Sequence, residues 1–204
     1  IFRAVDNSEG LADSLRLWMH GVRMKAGKEH EDGHGDREEE LLKDAEASLR
    51  REMAFFKARA DKRGEAAMLL AIGEALCCLG GTYRLVEAWD NLLDAQDMAR
   101  ELGDVRLEAL IAFERSTVLH KRHRFKQACQ AAKEAQKLFN SIGDMQNEGF
   151  SWFALGSAQI NNGRVEDGFV SKRKALAIYR KRGLRRQEGR CLCTFAEWYL
   201  TEGG

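Results

Sequence analysis

The residues best suited to chemistry are a histidine and carboxylate run and five cysteines in a chain of 204 residues. His30, Glu31, Asp32, His34 and Asp36 offer imidazole and carboxylate groups of the kind that ligate zinc or nickel. A flexible acidic loop fixes no ligand geometry, so the run is expected to be a solvated loop, and no metal or other cofactor is assigned. Cys191-x-Cys193 and Cys77-Cys78 lack a second C-x-x-C pair or a histidine at finger spacing, and neighbouring helical residues point to different faces. With Cys129 they make an odd count, expected to be reduced, buried, small apolar thiols. No phosphate-cradling glycine loop or G-x-S-x-G is present, so a non-enzyme is expected.

Two basic clusters remain, His120–Lys126 and Arg180–Arg186, both at expected turns. Either they are solvated charge favouring helix C-termini, or they form a patch for an anionic partner. The formal net charge is only +1, yet residues 1–100 hold 15 Lys+Arg against 20 Asp+Glu, and 101–204 hold 18 against 12. No apolar run is long enough to span a membrane and no leader pattern opens the chain, so a cytoplasmic location is expected.

These groups must sit on helices. The chain contains no proline, and Ala, Leu, Glu, Lys, Arg and Gln dominate its long stretches. A period organises them. Gly103, Gly143 and Gly183 are forty apart, each followed five residues later by Glu108, Glu148 and Glu188. Ala95, Ala135 and Ala175 precede the glycines by eight, and Ala88, Ala128 and Gly168 stand seven before those. Agreement at four columns marks a helical repeat. In its clearest unit one helix is expected over Met145–Asn161, with Gly156 allowing close approach of another, and a second over Val165–Arg180, closed by Gly183.

The segment Trp152-Phe153-Ala154-Leu155-Gly156, followed by Gly163, Val165, Gly168 and Ala175-Leu176, resembles the tetratricopeptide (TPR) repeat. The forty-residue period, the Gly-Asp turns at Gly103 and Gly143, and the pairs Glu108-Ala109, Glu148-Gly149 and Glu188-Gly189 resemble the repeats of the Partner of Inscuteable class of scaffolds. Arg115-Ser116 and Ala75-Leu76 depart from the Leu-Gly of the pattern. The resemblance implies an all-α, right-handed α-solenoid of antiparallel helix pairs. Its expected parts are a degenerate helix pair over 1–63 with a charged loop at 27–36, repeats over 64–102, 103–142 and 143–182, and a lone first helix over 183–204. The unpartnered last helix and a start at Ile1 suggest a fragment of a longer protein, or a terminal helix acting as a cap.

By the same resemblance the inner wall comes from the first helices: Leu110, Phe113, Thr117 and Lys121 of one unit, Phe150, Phe153, Ser157 and Asn161 of the next, then Arg190, Cys193 and Glu197. Phe113 and Phe153 either pack between units or stand exposed as anchors for an apolar or helical peptide, with Lys121, Asn161 and Arg190 holding its polar groups. The two-carboxylate clamp of chaperone-binding TPR domains is not reproduced. The expected function is a protein-interaction scaffold with a protein or peptide ligand rather than a small molecule or nucleic acid. Alternatives are an RNA or phospholipid binder using the basic turns, and a regulatory module of a larger signalling enzyme.

Overall fold

The computed structural model describes residues 7–202, so the outermost parts of the first and last expected segments, 1–6 and 203–204, lie outside the described residues. Among these the regular structure is helical: α1 Ser8–Glu31, α2 Gly35–Ala58, α3 Lys62–Leu79, α4 Thr82–Leu102, α5 Val105–Lys121, α6 Phe125–Ser141, α7 Met145–Asn161, α8 Val165–Arg182 and α9 Arg185–Glu202. The chain divides into two compact units, one ending at Glu114 and the other starting at Arg115, within α5.

In the first unit α3 packs against α1, α2 and α4. Its residues are buried from Gly64 through Cys77, on every side of the helix. The run Ala66-Ala67-Met68-Leu69-Leu70-Ala71-Ile72 is apolar all round, which is the pattern of a helix enclosed by neighbours. Met19 of α1, Leu42, Leu49 and Phe56 of α2 and Leu92 of α4 complete that core. In the second unit α6 packs on α7, α7 on α8 and α8 on α9. The small-residue columns face inward as their spacing requires, with Ala128, Ala135 and Ala175 fully buried.

Local chemistry explains the lattice. Gly103 and Gly183 close α4 and α8 in the left-handed conformation, with φ of 66° and 68°. The aspartates of the Gly-Asp turns cap the next helix: Leu107 N donates to Asp104 Oδ1 at 2.9 Å and Asn147 N to Asp144 Oδ1 at 3.1 Å. The glutamate column ties successive helices together. Arg100 Nε donates to Glu108 at 3.0 Å, Asn140 Nδ2 to Glu148 at 3.3 Å and Arg180 Nε to Glu188 at 2.9 Å, each donor eight residues before its acceptor.

Two expectations near the N-terminus are corrected. The charged loop at 27–36 is mostly helix: α1 runs to Glu31 and α2 begins at Gly35. Basic Lys28 and His30 sit in the last turn of α1, and acidic Asp36 and Glu38 in the first turn of α2, so both helix dipoles favour extension. His30 Nδ1 pairs with Glu38 at 2.8 Å and His34 Nδ1 with Glu29 at 3.1 Å across the turn. The boundary placed at Gly64 falls instead at Asp61, whose side chain accepts from Gly64 N at 2.9 Å. Gly64 lies inside α3, where a Cβ would meet the Phe56 ring at 2.1 Å.

Candidate functional site

The second unit gathers polar and aromatic groups where three helices meet. The backbones of α7 and α8 approach closely at Gly156 and Gly168. One turn after Gly168, this approach carries Lys172 of α8 beneath Phe153 and Ser157 of α7. Its Nζ donates to Ser157 Oγ at 3.0 Å and to Thr194 Oγ1 of α9 at 3.4 Å. The same nitrogen stands 3.9 Å from the centre of the Phe153 ring, and the Arg190 guanidinium lies 5.7 Å from that centre. Cation–π contacts of this kind contribute about 0.5–2 kcal/mol, more when water is excluded.

Lys172 is 2% exposed. Burial pushes its pKa down to about 8, Cys191 and Glu197 oppose that shift, and nearby Arg190 reinforces it. Cys191 is itself buried and its thiol donates to the Lys172 carbonyl oxygen at 3.3 Å. The ammonium is therefore held by two hydroxyls and a ring face.

Toward the end of α5, Asn161 Nδ2 lies 3.1 Å from His120 Nε2, and His120 meets Phe125 edge-on at 5.3 Å between centres. Burial lowers the His120 pKa, with His123 and Lys172 adding repulsion, which favours the neutral ring. Thr117 is half-buried and Lys121 exposed on the same stretch of α5.

Of the residues expected to line a groove, Phe153, Ser157 and Arg190 are brought together, and Asn161 is paired with His120. Phe150 and Phe153 are both half-buried and pack against the core cluster of Ala175, Leu176, Tyr179 and Cys191; Phe150 is tilted against Tyr179 with centres 5.8 Å apart, while the Tyr179 hydroxyl donates to Gly149 O at 3.1 Å. Leu110 and Phe113 are half-buried residues of the first unit. Cys77, Cys129 and Cys191 are buried thiols, but Cys78 is only half-buried and Cys193 is exposed, because alternate positions of an α-helix face different ways.

Lys172 escaped the sequence reading because the resemblance assigns inner-wall columns to first helices only, and Thr194 because it lies between the columns of Arg190, Cys193 and Glu197. A signal exists for the lysine: forty and eighty residues earlier stand Ala132 and Leu92, both fully buried, so a charge occupies an apolar column. The surrounding unit is strongly basic, with 17 Lys+Arg against 8 Asp+Glu over residues 115–204. Arg180 and Arg185 of the second basic cluster both donate to Glu188. Among the described residues no group of three or more His, Cys, Asp or Glu could hold a metal ion, and no helix is long and apolar enough to cross a membrane.

No protein-family model matches the chain, and no curated protein matches it either. Among solved structures the chain is similar to BtubC (BKLC) from P. vanneervenii, at 15% identity and a TM-score of 0.54, over 99% of this chain and 89% of that one. At that identity the likeness speaks for the fold alone, an all-helical, repeat-like architecture.

Proposed function

We propose that the chain is a TPR-like interaction scaffold with antiparallel helix pairs in each unit and no catalytic role, and that its second unit binds a peptide or partner helix. The observation that carries this reading is the Lys172 cluster. An aromatic face bordered by two cations and two hydroxyls suits a ligand that presents an apolar group to Phe153 and a carbonyl or carboxylate to Lys172 and Arg190. Binding to an anionic surface through the Arg180–Arg186 turn has less support, because Arg180 and Arg185 are engaged with Glu188.

The test is affinity capture from cell extract with wild type, Phe153→Ala and Lys172→Met, with thermal melts confirming that each is folded. The scaffold reading expects proteins retained by wild type and lost from both variants. Retention that survives Phe153→Ala, falls steeply with salt and disappears after nuclease treatment would point to nucleic acid instead.

A further inference from the structure

A second polar cluster lies wholly within the first unit and is independent of the Lys172 site. Arg23 of α1 donates through Nη1 to Glu114 Oε1 of α5 at 3.1 Å, and its Nη2 lies 3.1 Å from His20 Nδ1. Glu114 is 4% exposed, and Glu74 of α3, which occupies the equivalent place forty residues earlier, is 9% exposed. Arg16, two turns before Arg23 on the same side of α1, has its Nε buried with no hydrogen-bond partner. A buried, unpartnered donor on a charged group is costly, and natural structures retain such groups where something else completes them.

We propose that Arg16, Arg23 and Glu74 form a site that takes up one carboxylate together with one proton. Among the charged groups that act on Glu74, the count selects the ligand. With Glu74 protonated, Arg16, Arg23 and Glu114 leave a single positive charge, which one carboxylate neutralises; a dianion would leave excess negative charge beside Glu114. With Glu74 ionised the cluster is already neutral and an arriving anion meets two buried carboxylates. A protonated Glu74 also supplies an O–H donor. His20 and Arg23, at the more exposed edge of the cluster, mark the side of approach.

The electrostatics agree. Burial is the main influence on Glu74 and raises its pKa to about 7; Glu114 adds to the rise, and Arg23 and Arg16 oppose it. Among the described residues no charged group of α2 or α4, the other helices packed on α3, enters that balance. Arg16 is lowered by burial and by Arg106 and Arg63, and raised by Glu74 and Asp13. Arg23 is raised by Glu114, Glu74 and Cys78 against its burial. His20 is lowered by burial, with Arg23 and Arg16 repelling its proton and Glu114 attracting it.

The test follows arginine Nε–H resonances by NMR in the full chain at pH 6 and pH 8. Three probes are titrated: acetate, N-acetyl-glycylglycine with a free carboxyl terminus, and the same dipeptide as its amide. Acetate or the free acid should shift the Arg16 and Arg23 signals saturably, the first pointing to small organic acids and preference for the second to peptide termini. The amide should not. Wild-type affinity should fall about tenfold from pH 6 to pH 8, as expected for one linked proton with a pKa near 7. Glu74→Gln, which mimics the protonated state, should bind equally at both pH values, and Arg16→Met should lose binding while keeping a cooperative melt. The proposal is overturned if neither acid binds, if the amide binds as well as the acid, if wild-type affinity is the same at both pH values, or if the pH dependence survives in Glu74→Gln.

Discussion

Gly156 of α7 and Gly168 of α8 form a mutual backbone contact: a Cβ on Gly156 would lie 2.7 Å from Gly168 O, and one on Gly168 would lie 2.8 Å from Gly156 O. Both obstacles are main-chain atoms, which cannot swing aside as a side chain would. Gly156→Ala gains about 1 kcal/mol of helix propensity but forces the helices apart, and overpacking of this kind costs about 1–3 kcal/mol. A net destabilisation of roughly 1–2 kcal/mol is expected, read as a lower urea midpoint, together with loss of ligand binding as Lys172 moves away from Phe153. Gly189→Ala is the control. That glycine lies within α9 with nothing inside 4 Å of an added Cβ, so the same substitution should stabilise by up to about 1 kcal/mol. Equal effects at the two sites would remove the argument for close helix contact.

The helix caps separate into two groups that respond oppositely to mutation. Asp144 accepts from Asn147 N at 3.1 Å and from Asn147 Nδ2 at 2.8 Å, so Asp144→Ala should cost about 1 kcal/mol of stability. The equivalent position before α6 is Arg124, with φ −91° and ψ 59° and no side-chain cap. This backbone is close to that of Asp144, at φ −81° and ψ 76°. A cation there also opposes the helix dipole. Arg124→Asp should therefore raise stability by roughly 0.5–1 kcal/mol. Denaturant melts of both variants check the pair, and destabilisation by Arg124→Asp would count against the capping account.

What could be read from the sequence depended on how local its cause was. Gly103 and Gly183 recur because a chain leaving an α-helix turns through a left-handed residue, and Glu108, Glu148 and Glu188 recur because each accepts from a residue eight earlier. Such features repeat with the lattice. The bounds of α7 match their expectation at both ends because Asp144 and the Asn161-Asn162-Gly163 stop are encoded next to the helix. Gly64 misled because it shares its residue type with the turn glycines and stands 39 residues before Gly103, one short of their spacing, but serves a different purpose, relieving contact with Phe56 from α2. Lys172 was missed for a related reason. Its burial is decided by α7 and α9 together, and nothing within a turn of it in sequence announces the hydroxyls of Ser157 and Thr194.

The Lys172 ammonium should leave a signature in the pH dependence of folding. Its pKa is about 8 in the folded chain, below the ordinary lysine value of 10.5 that applies once the chain unfolds. Between those values the unfolded state binds more protons than the folded one, so this position's contribution to stability rises with pH across that window; below about pH 8 both states hold the proton and the contribution is flat. Burial also raises the Cys191 thiol and the Tyr179 hydroxyl, which makes the folded state hold protons the unfolded state releases; this opposite trend is present in both proteins and is stronger for Cys191 in Lys172→Met, which lacks the ammonium that opposes its rise. The informative quantity is thus the difference in unfolding free energy between the two proteins, from urea melts at intervals from pH 6.5 to 10.5. It should be constant at the acid end and shift in favour of wild type from about pH 8 upward. Parallel stability profiles would mean that Lys172 keeps an ordinary pKa in the fold, and the contacts with Phe153, Ser157 and Thr194 would then not describe a desolvated ammonium.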